Sequence, residues 1–126
     1  VKAHKVDVRL TMEAINPMDM PGYMLSKQAQ SLRLLKAINA DNLGLQFDFF
    51  HCQKHEGNAL HQFEQLLPYI FHVQIAGVPE RHEPNTGELN YDPVFAVIDA
   101  SAYEGYVGCE YRPKTTTLEG LGWMKN

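Results

Sequence analysis

Four polar residues stand where four apolar, strand-like runs of the sequence end. Glu13 follows VDVRLTM, Asp48 follows LGLQF, Gln74 follows IFHV, and Glu110 follows YVGC. Three carboxylates and one amide oxygen are hard ligands of the kind that Mg²⁺ and Mn²⁺ prefer. If the four strand ends meet at one edge of a sheet, they predict an oxygen-rich metal site. Glu13 and Glu110 could then face each other across the ion and shuttle a proton between adjacent carbons of a substrate.

The elements that must position these residues alternate between strand and helix. Strand-like runs occupy residues 6–12, 43–49, 69–76 and 106–111. Because strands and helices alternate at this pitch, the sequence predicts parallel strands joined by crossover helices, which is an α/β fold. After residue 111 the sequence shows a polar tail without a clear helix.

Three helices are predicted from capping residues and from apolar residues at helical spacing. Ser26 caps the first helix, the second begins at about Asn58, and Asp92-Pro93 opens the third. The side chains predicted to be buried are, in order, Ala29, Leu32, Leu35 and Ile38; Leu60, Phe63 and Leu67; and Val94, Val97 and Ile98, with Phe95 beside them.

Side-chain alternation gives each strand one apolar face and one face that turns polar toward its C-terminal end. The apolar set is Leu10, Met12, Leu45, Phe47, Phe49, Phe71, Val73, Ile75, Val107 and Cys109; the opposite set is Arg9, Thr11, Glu13, Gln46, Asp48, His72, Gln74, Gly108 and Glu110. In a doubly wound sheet helices cover both faces, so both should be apolar. A TIM barrel, with its helices outside and its reaction chamber at the top, fits this pattern better.

Four strand–helix units are half of an eight-unit barrel. Half a barrel alone would leave two strand edges open and its inner face wet. Either another half precedes Val1 in the native protein, or the chain pairs with a second copy as a homo-oligomer. We favour the first, because VKAHKVDV has no initiator methionine or apolar signal core and is typical of a helix end that leads into a strand.

The four strand-end residues also have a simpler interpretation, as solvated side chains or helix caps. Their shared position on one face of four strands favours the metal site instead. His51, three residues after Asp48, is placed to contact substrate or to orient a carboxylate, although a loop histidine without a role stays an alternative. His72 should point inward one layer deeper, as an interior hydrogen-bonding residue.

The loop of residues 77–90 concentrates charge, proline and turn-forming residues above the third strand. Arg81 and His82 could hold a carboxylate or hydroxyl of the substrate. Glu83 and Glu88 could order the loop or orient His82. The alternative is a loop that is merely solvated.

Composition narrows the possible partners of the chain. Its 126 residues and 44% hydrophobic content are enough for one domain, with no apolar stretch near the roughly 20 residues of a membrane span. A net charge of -4 without a basic run argues against nucleic acid and anionic membrane as partners. Cys52 and Cys109 form no disulfide framework, which suits the cytoplasm. We expect Cys109 to be buried and inert, and no nucleophile is predicted.

Several longer segments resemble one family. EAINPMDMPGYML, LQFDFFH, HVQIAGVPERHEPNTGELNY and GYVGCEYRP, with the closing GLGW, are similar in order and spacing to the hydroxypyruvate isomerase family of xylose-isomerase-like TIM barrels. The resemblance covers nearly the whole chain and implies its C-terminal half, strands five to eight. It implies that the four strand-end residues bind a divalent metal, Mg²⁺ or Mn²⁺, and that the two glutamates are an acid–base pair. It matches His51 to a substrate-side histidine, and Arg81 lies near an arginine that related epimerases use on substrate.

The implied reaction is an aldose–ketose type isomerisation of small hydroxy-carbonyl acids. Hydroxypyruvate would interconvert with tartronate semialdehyde, or a 2-oxo-tetronate would react. A sugar 3-epimerase of the same superfamily, or an inactive half-barrel that binds metal or a partner, stays an alternative. A DNA-repair endonuclease is disfavoured because it needs several more histidine ligands and a basic face. Ala14 departs from the family, which usually has proline there, and the N-terminal half is missing.

Overall fold

The structure, a computed structural model, describes residues 8–125. Four strands form one parallel sheet in the order β1-β2-β3-β4. They are β1 (Leu10–Glu13), β2 (Leu43–Asp48), β3 (Ile70–Ile75) and β4 (Val107–Cys109). The predicted parallel α/β fold is confirmed, although the strands are shorter than expected. The start of the first predicted run, residues 6 and 7, lies outside the described part of the chain.

Five α-helices lie among the described residues. They are α1 (Gln28–Ile38), α2 (Phe49–His55), α3 (Ala59–Leu66), α4 (Asp92–Ala100) and α5 (Thr117–Gly120), with short 3-10 turns at Leu67–Tyr69 and Gly122–Lys125. The sequence did not predict α2, because it begins directly at the end of β2 without a turn. The prediction of a tail without helix was also wrong, since the Thr116 side chain caps α5 by accepting a hydrogen bond from the Glu119 backbone.

Helix α1 has the predicted period but a different phase. Its N-cap is Lys27 and not Ser26, and the buried residues are Gln28 and Ser31. Leu32 and Leu35 pack partly buried against the core, as predicted, whereas Ala29 and Ile38 are exposed. The expectation failed because two polar residues occupy core-facing positions, which hid the true i, i+3, i+4, i+7 stripe.

The core lies between one face of the sheet and the helices. Leu45, Phe47, Val73 and Ile75 project from β2 and β3 into a cluster that Phe49, Phe63, Val94 and Ile98 complete from α2, α3 and α4. The Phe47 ring meets Phe49 and Phe63 edge-on, with ring centroids 5.0 and 5.6 Å apart. Apolar packing on this face leaves the opposite face of the sheet to the polar side chains.

Phe71 was predicted on the apolar face of β3, but a change of register places it on the opposite face. The β2–β3 register shifts so that Leu45 pairs with Ile70 and Gln46 with His72, which leaves Phe71 as an extra residue between the two pairs. A Cβ on Gly44 would lie 2.3 Å from the Phe71 ring, and Arg9 sits 5.1 Å above that ring. Phe71 therefore covers the polar face of the sheet, and Gly44 must lack a side chain to accommodate it.

The outer strands β1 and β4 each pair on one side only within residues 8–125. Cys109, expected to be buried, is exposed because it projects from an edge strand. Cys52, by contrast, is buried in the core. The half-barrel arrangement stays a prediction. In the described part of the chain, no helix has the length and apolar character needed to span a bilayer.

Candidate active site

The predicted polar residues meet along the carboxyl edge of the sheet. Glu13 pairs with Gln46 in the β1–β2 register, and Asp48 pairs with Gln74 in the β2–β3 register. The Gln46 amide donates to Glu13 Oε2 at 2.9 Å and to Gln74 Oε1 at 2.6 Å. Gln74 in turn donates to Glu110 Oε2 at 3.0 Å. A polar chain therefore connects the two glutamates across the sheet, and Gln46 is a member that the sequence analysis did not single out.

Asp48 combines a helix cap with an unused oxygen. Its Oδ1 accepts hydrogen bonds from the backbone N–H groups of Phe50 at 2.7 Å and His51 at 3.3 Å, which caps α2. Its Oδ2 is buried without a hydrogen-bond partner and lies 3.7 Å from His51 Nε2 and 3.6 Å from the Arg81 guanidinium. The capping alternative thus accounts for one oxygen of Asp48 and leaves the other without a hydrogen-bond partner.

Burial at this edge disfavours the ionised forms of Glu13 and Asp48 when no cation is bound. Burial, helped by the nearby Asp48 and Glu110 carboxylates, raises the pKa of Glu13 to about 7. Burial raises the pKa of Asp48 to about 6, against the lowering influence of Arg81. Two crowded carboxyls, one with an unpartnered buried oxygen, form the donor set that a hard divalent cation binds. The residues present therefore fit such an ion.

The geometry adds His51 to this cluster. Among the described residues, Glu13, Asp48 and His51 each offer a potential ligand atom within 4.8 Å of the others. His51 is buried, and burial together with Arg81 lowers its pKa to about 4, which keeps the ring neutral at pH 7. His51 Nε2 lies 3.7 Å from Asp48 Oδ2 and 3.9 Å from Glu13 Oε1, and its contact with substrate stays a prediction. Its contact with the fully buried Asn16 was not predicted, because Asn16 lies in a loop after β1 that carries no periodic signal.

Arg81 reaches the same edge from the loop after β3. Its guanidinium donates to Glu110 Oε2 at 2.9 Å and lies 4.9 Å above the Phe50 ring. The loop holds it there through hydrogen bonds from the Arg81 N–H to the Gly77 carbonyl and from the Gly77 N–H to the His82 carbonyl, each 2.8 Å. Arg81 has a left-handed backbone, φ 63°, which non-glycine residues adopt mainly where the surroundings enforce it.

His82 and His72 lie apart from the cluster. A cavity of about 230 Å³ opens among Glu13, His51, Arg81 and Glu110, but His82 is not in its wall. Instead, His82 Nδ1 lies 2.7 Å from the Arg112 carbonyl oxygen. His72 is half-buried beside Gly108, and its hydrogen-bonding role stays a prediction.

Glu83 and Arg112 complete the surroundings. Glu83 accepts a hydrogen bond from the Lys114 backbone N–H, which ties the loop after β3 to the segment after β4. This agrees with the predicted role of Glu83 in ordering the loop. Arg112, not singled out from the sequence, lines the 230 Å³ cavity. A larger cavity, about 690 Å³, lies between residues 84–92 and Trp123, away from the strand-end carboxylates.

Comparison with known proteins identifies the family. The sequence model of the family described as "Xylose isomerase-like TIM barrel" matches residues 2–126, so the chain belongs to that family. It is 49% identical over 118 residues to 2-oxo-tetronate isomerase of Cupriavidus necator, covering 94% of this chain and 45% of that protein. It is 47% identical over 120 residues to hydroxypyruvate isomerase of Escherichia coli, covering 95% of this chain and 46% of that protein.

A solved structure agrees with the fold. A Brucella melitensis protein described as AP endonuclease, family 2, superimposes with a TM-score of 0.94 at 39% identity, covering 98% of this chain and 48% of that one. The chain thus spans about half the length of the relatives it matches.

Proposed function

We propose that this chain carries the metal-binding and proton-transfer residues of an isomerase of small hydroxy-carbonyl acids, such as hydroxypyruvate or a 2-oxo-tetronate. The observation that carries the proposal is the unpartnered, buried Oδ2 of Asp48 beside Glu13, at an edge that also holds Gln74 and Glu110. The similarity to proteins named 2-oxo-tetronate isomerase and hydroxypyruvate isomerase supports the substrate class.

Glu13, Asp48, Gln74 and Glu110 would hold the divalent ion, Mg²⁺ or Mn²⁺. When bound, it would polarise the substrate carbonyl and stabilise negative charge on the neighbouring oxygens. The hydrogen bonds among Gln46, Gln74 and the two glutamates keep the carboxylates of the outer strands aimed at one space.

Glu13 and Glu110 would move the proton. One carboxylate removes the proton from the carbon that bears the hydroxyl, an enediolate forms, and the neighbouring carbon is protonated from the acid–base pair. The hydroxyl proton passes to the former carbonyl oxygen, so the product is an isomer of the substrate. Without the ion, burial and the neighbouring carboxylates raise the pKa of Glu13 to about 7; a bound cation would lower that pKa and favour the carboxylate form that acts as the base.

Arg81 and His51 would orient the substrate. The Arg81 guanidinium suits a substrate carboxylate, because its planar donors match two carboxylate oxygens. His51 lines the same cavity, with its Nε2 3.7 Å from Asp48 Oδ2. His82 stays a sequence-based candidate for substrate contact, although its ring lies outside this cavity.

The proposal also includes the part of the pocket wall that this chain does not supply. We infer that the open sides of β1 and β4 receive the other half of a barrel, for which this chain supplies strands five to eight. The match to only 45–46% of the isomerases' length supports this arrangement. A second copy of the chain is the alternative occupant.

Substrate profiling of the native polypeptide that contains this chain tests the function. Its mass is measured first, and the protein is then supplied with Mg²⁺ or Mn²⁺ and offered hydroxypyruvate, a 2-oxo-tetronate, a free ketohexose and DNA with an abasic site. We expect turnover of one or both acids. Selective epimerisation of the ketohexose, cleavage of the DNA, or no turnover with any metal would overturn the proposal.

A further inference from the structure

Asn16 has an unambiguous amide orientation. Its side-chain Oδ1 accepts a hydrogen bond from the Asp19 backbone N–H at 2.9 Å. Since a backbone N–H can only donate, the atom facing it must be the amide oxygen. The Nδ2 group therefore occupies the other position, 3.0 Å from Asp19 Oδ2 and 2.7 Å from His51 Nδ1.

His51 Nδ1 consequently faces donors. Besides Asn16 Nδ2, the backbone N–H of Asn16 points at the same ring nitrogen from 3.4 Å. A ring nitrogen that receives hydrogen bonds must carry its lone pair, so in the neutral ring the proton lies on Nε2. Asn16 and His51 are both buried, so water does not compete for these positions.

The opposite side of the ring agrees with this assignment. His51 Nε2 lies 3.7 Å from Asp48 Oδ2 and 3.9 Å from Glu13 Oε1, which are acceptors when ionised. A metal ion needs the lone pair of the nitrogen it binds. A protonated Nε2 is therefore a donor in the cavity and not a ligand, although His51 lies close enough to be considered one.

Hydrogen bonds through Asp19 hold the Asn16 side chain in place. Asn16 Nδ2 donates a hydrogen bond to Asp19 Oδ2. The other oxygen of Asp19, Oδ1, accepts a hydrogen bond from Lys54 Nζ at 2.8 Å. Lys54 belongs to α2, the same helix that carries His51. The loop after β1 and helix α2 are thus tied together at two points, Asn16–His51 and Asp19–Lys54, which holds Asn16 against the ring.

We propose that Asn16 is a positioning residue that fixes the Nε2-protonated tautomer of His51, so that His51 donates a hydrogen bond to a substrate oxygen and leaves the metal to the oxygen ligands. The identity of that substrate rests on the proposed isomerase function, whereas the tautomer does not.

The test is nitrogen NMR of the histidine rings in the native polypeptide, with and without Mg²⁺. Loss of one ring pattern in His51→Gln assigns the resonances. We expect unprotonated Nδ1 and protonated Nε2 in both samples. A protonated Nδ1, or an Nε2 that loses its proton when Mg²⁺ is added, overturns the proposal. The spectrum needs no turnover, so an inactive protein with the expected tautomer would contradict the proposed function alone.

Asn16→Asp then tests the cause. At a pH where the substituted carboxyl is ionised it can only accept, so Nδ1 should become protonated and kcat should fall at least tenfold, and the spectrum is therefore recorded up to the highest pH at which the protein stays folded. Asn85→Asp, which makes the same charge change at an exposed position of the loop after β3, should leave the His51 spectrum unchanged. If Nδ1 stays unprotonated in Asn16→Asp, Asn16 does not fix the tautomer and the proposal fails.

Discussion

Glu13 ends β1 and Glu110 follows β4, the two outer strands of the sheet, yet two side-chain amides join them. Gln46 binds Glu13 at 2.9 Å, Gln74 binds Glu110 at 3.0 Å, and the amides bind each other at 2.6 Å. The glutamates therefore project into one space as a connected pair. This relationship supports the proposed acid–base pair beyond the presence of two carboxylates.

Glu13→Gln and Glu110→Gln should each lower kcat by roughly 10²- to 10⁴-fold, because an amide keeps the size of the side chain but cannot take up or release the proton. Glu64→Gln, on the exposed side of α3, is the matched control and should leave kcat unchanged. Steady-state kinetics with saturating metal, alongside circular dichroism, separates chemistry from folding. Retention of most of the activity in either variant would refute the acid–base pair.

Asp48 allows its two roles to be separated. Asp48→Asn keeps an oxygen to cap α2 but removes the charge at Oδ2, so metal affinity should fall at least tenfold while the metal-free melting temperature is maintained. Maintenance is expected because burial already disfavours the ionised carboxyl, as its raised pKa shows. Asp48→Ala also loses the cap, which should cost about 0.5–2 kcal/mol. Metal titration calorimetry and thermal unfolding with a chelator measure the two effects. Unchanged metal affinity in Asp48→Asn would remove Asp48 from the ligand set.

Arg81→Lys should raise KM more than it lowers kcat. Lysine keeps the charge but loses the planar fork, and a charge-assisted hydrogen bond is worth about 1.5–3 kcal/mol, or roughly 10- to 100-fold in affinity. Arg33→Lys, on the exposed surface of α1, is the control. Equal KM values in the two variants would show that Arg81 does not hold the substrate carboxylate.

The packing of Phe71, the extra residue in β3, against Gly44 can be tested by measuring the free energy of unfolding. Gly44→Ala should destabilise the protein by about 1–3 kcal/mol, since its Cβ would overlap the Phe71 ring. Combined with Phe71→Ala, the same change should cost much less than the sum of the single variants. Gly122→Ala meets no atom within 4 Å and serves as the control. Strict additivity in the denaturation midpoints would contradict the position given to Phe71.

The sequence predicted what depends on periodicity and strand order. The core positions of Leu45, Phe47, Val73 and Ile75 followed from alternation. The meeting of the strand-end residues followed from strand order, because parallel strands present their carboxyl ends at one edge. His51 and Arg81, which each follow a strand by a few residues, lie at the same edge, and their roles stay predictions.

What the sequence could not predict depends on tertiary pairing. The displacement of Phe71 arises from the register between β2 and β3, which no local pattern encodes. The phase of α1 was hidden because Gln28 and Ser31 are polar residues at buried positions. Asn16 and Gln46 gained their significance only from partners about 30 residues away in the chain.

The most direct measurement is hydroxypyruvate turnover by the native polypeptide before and after removal of divalent metal. Proton NMR can follow the isomerisation in the presence of a chelator, then after Mg²⁺ or Mn²⁺ is restored. We predict that turnover is lost on chelation and returns with the ion, and that the 2-oxo-tetronate behaves in the same way if it is the better substrate. Turnover that is indifferent to chelation, or no turnover of either acid with any divalent metal, would contradict a metal-dependent isomerase built on these four strand-end residues.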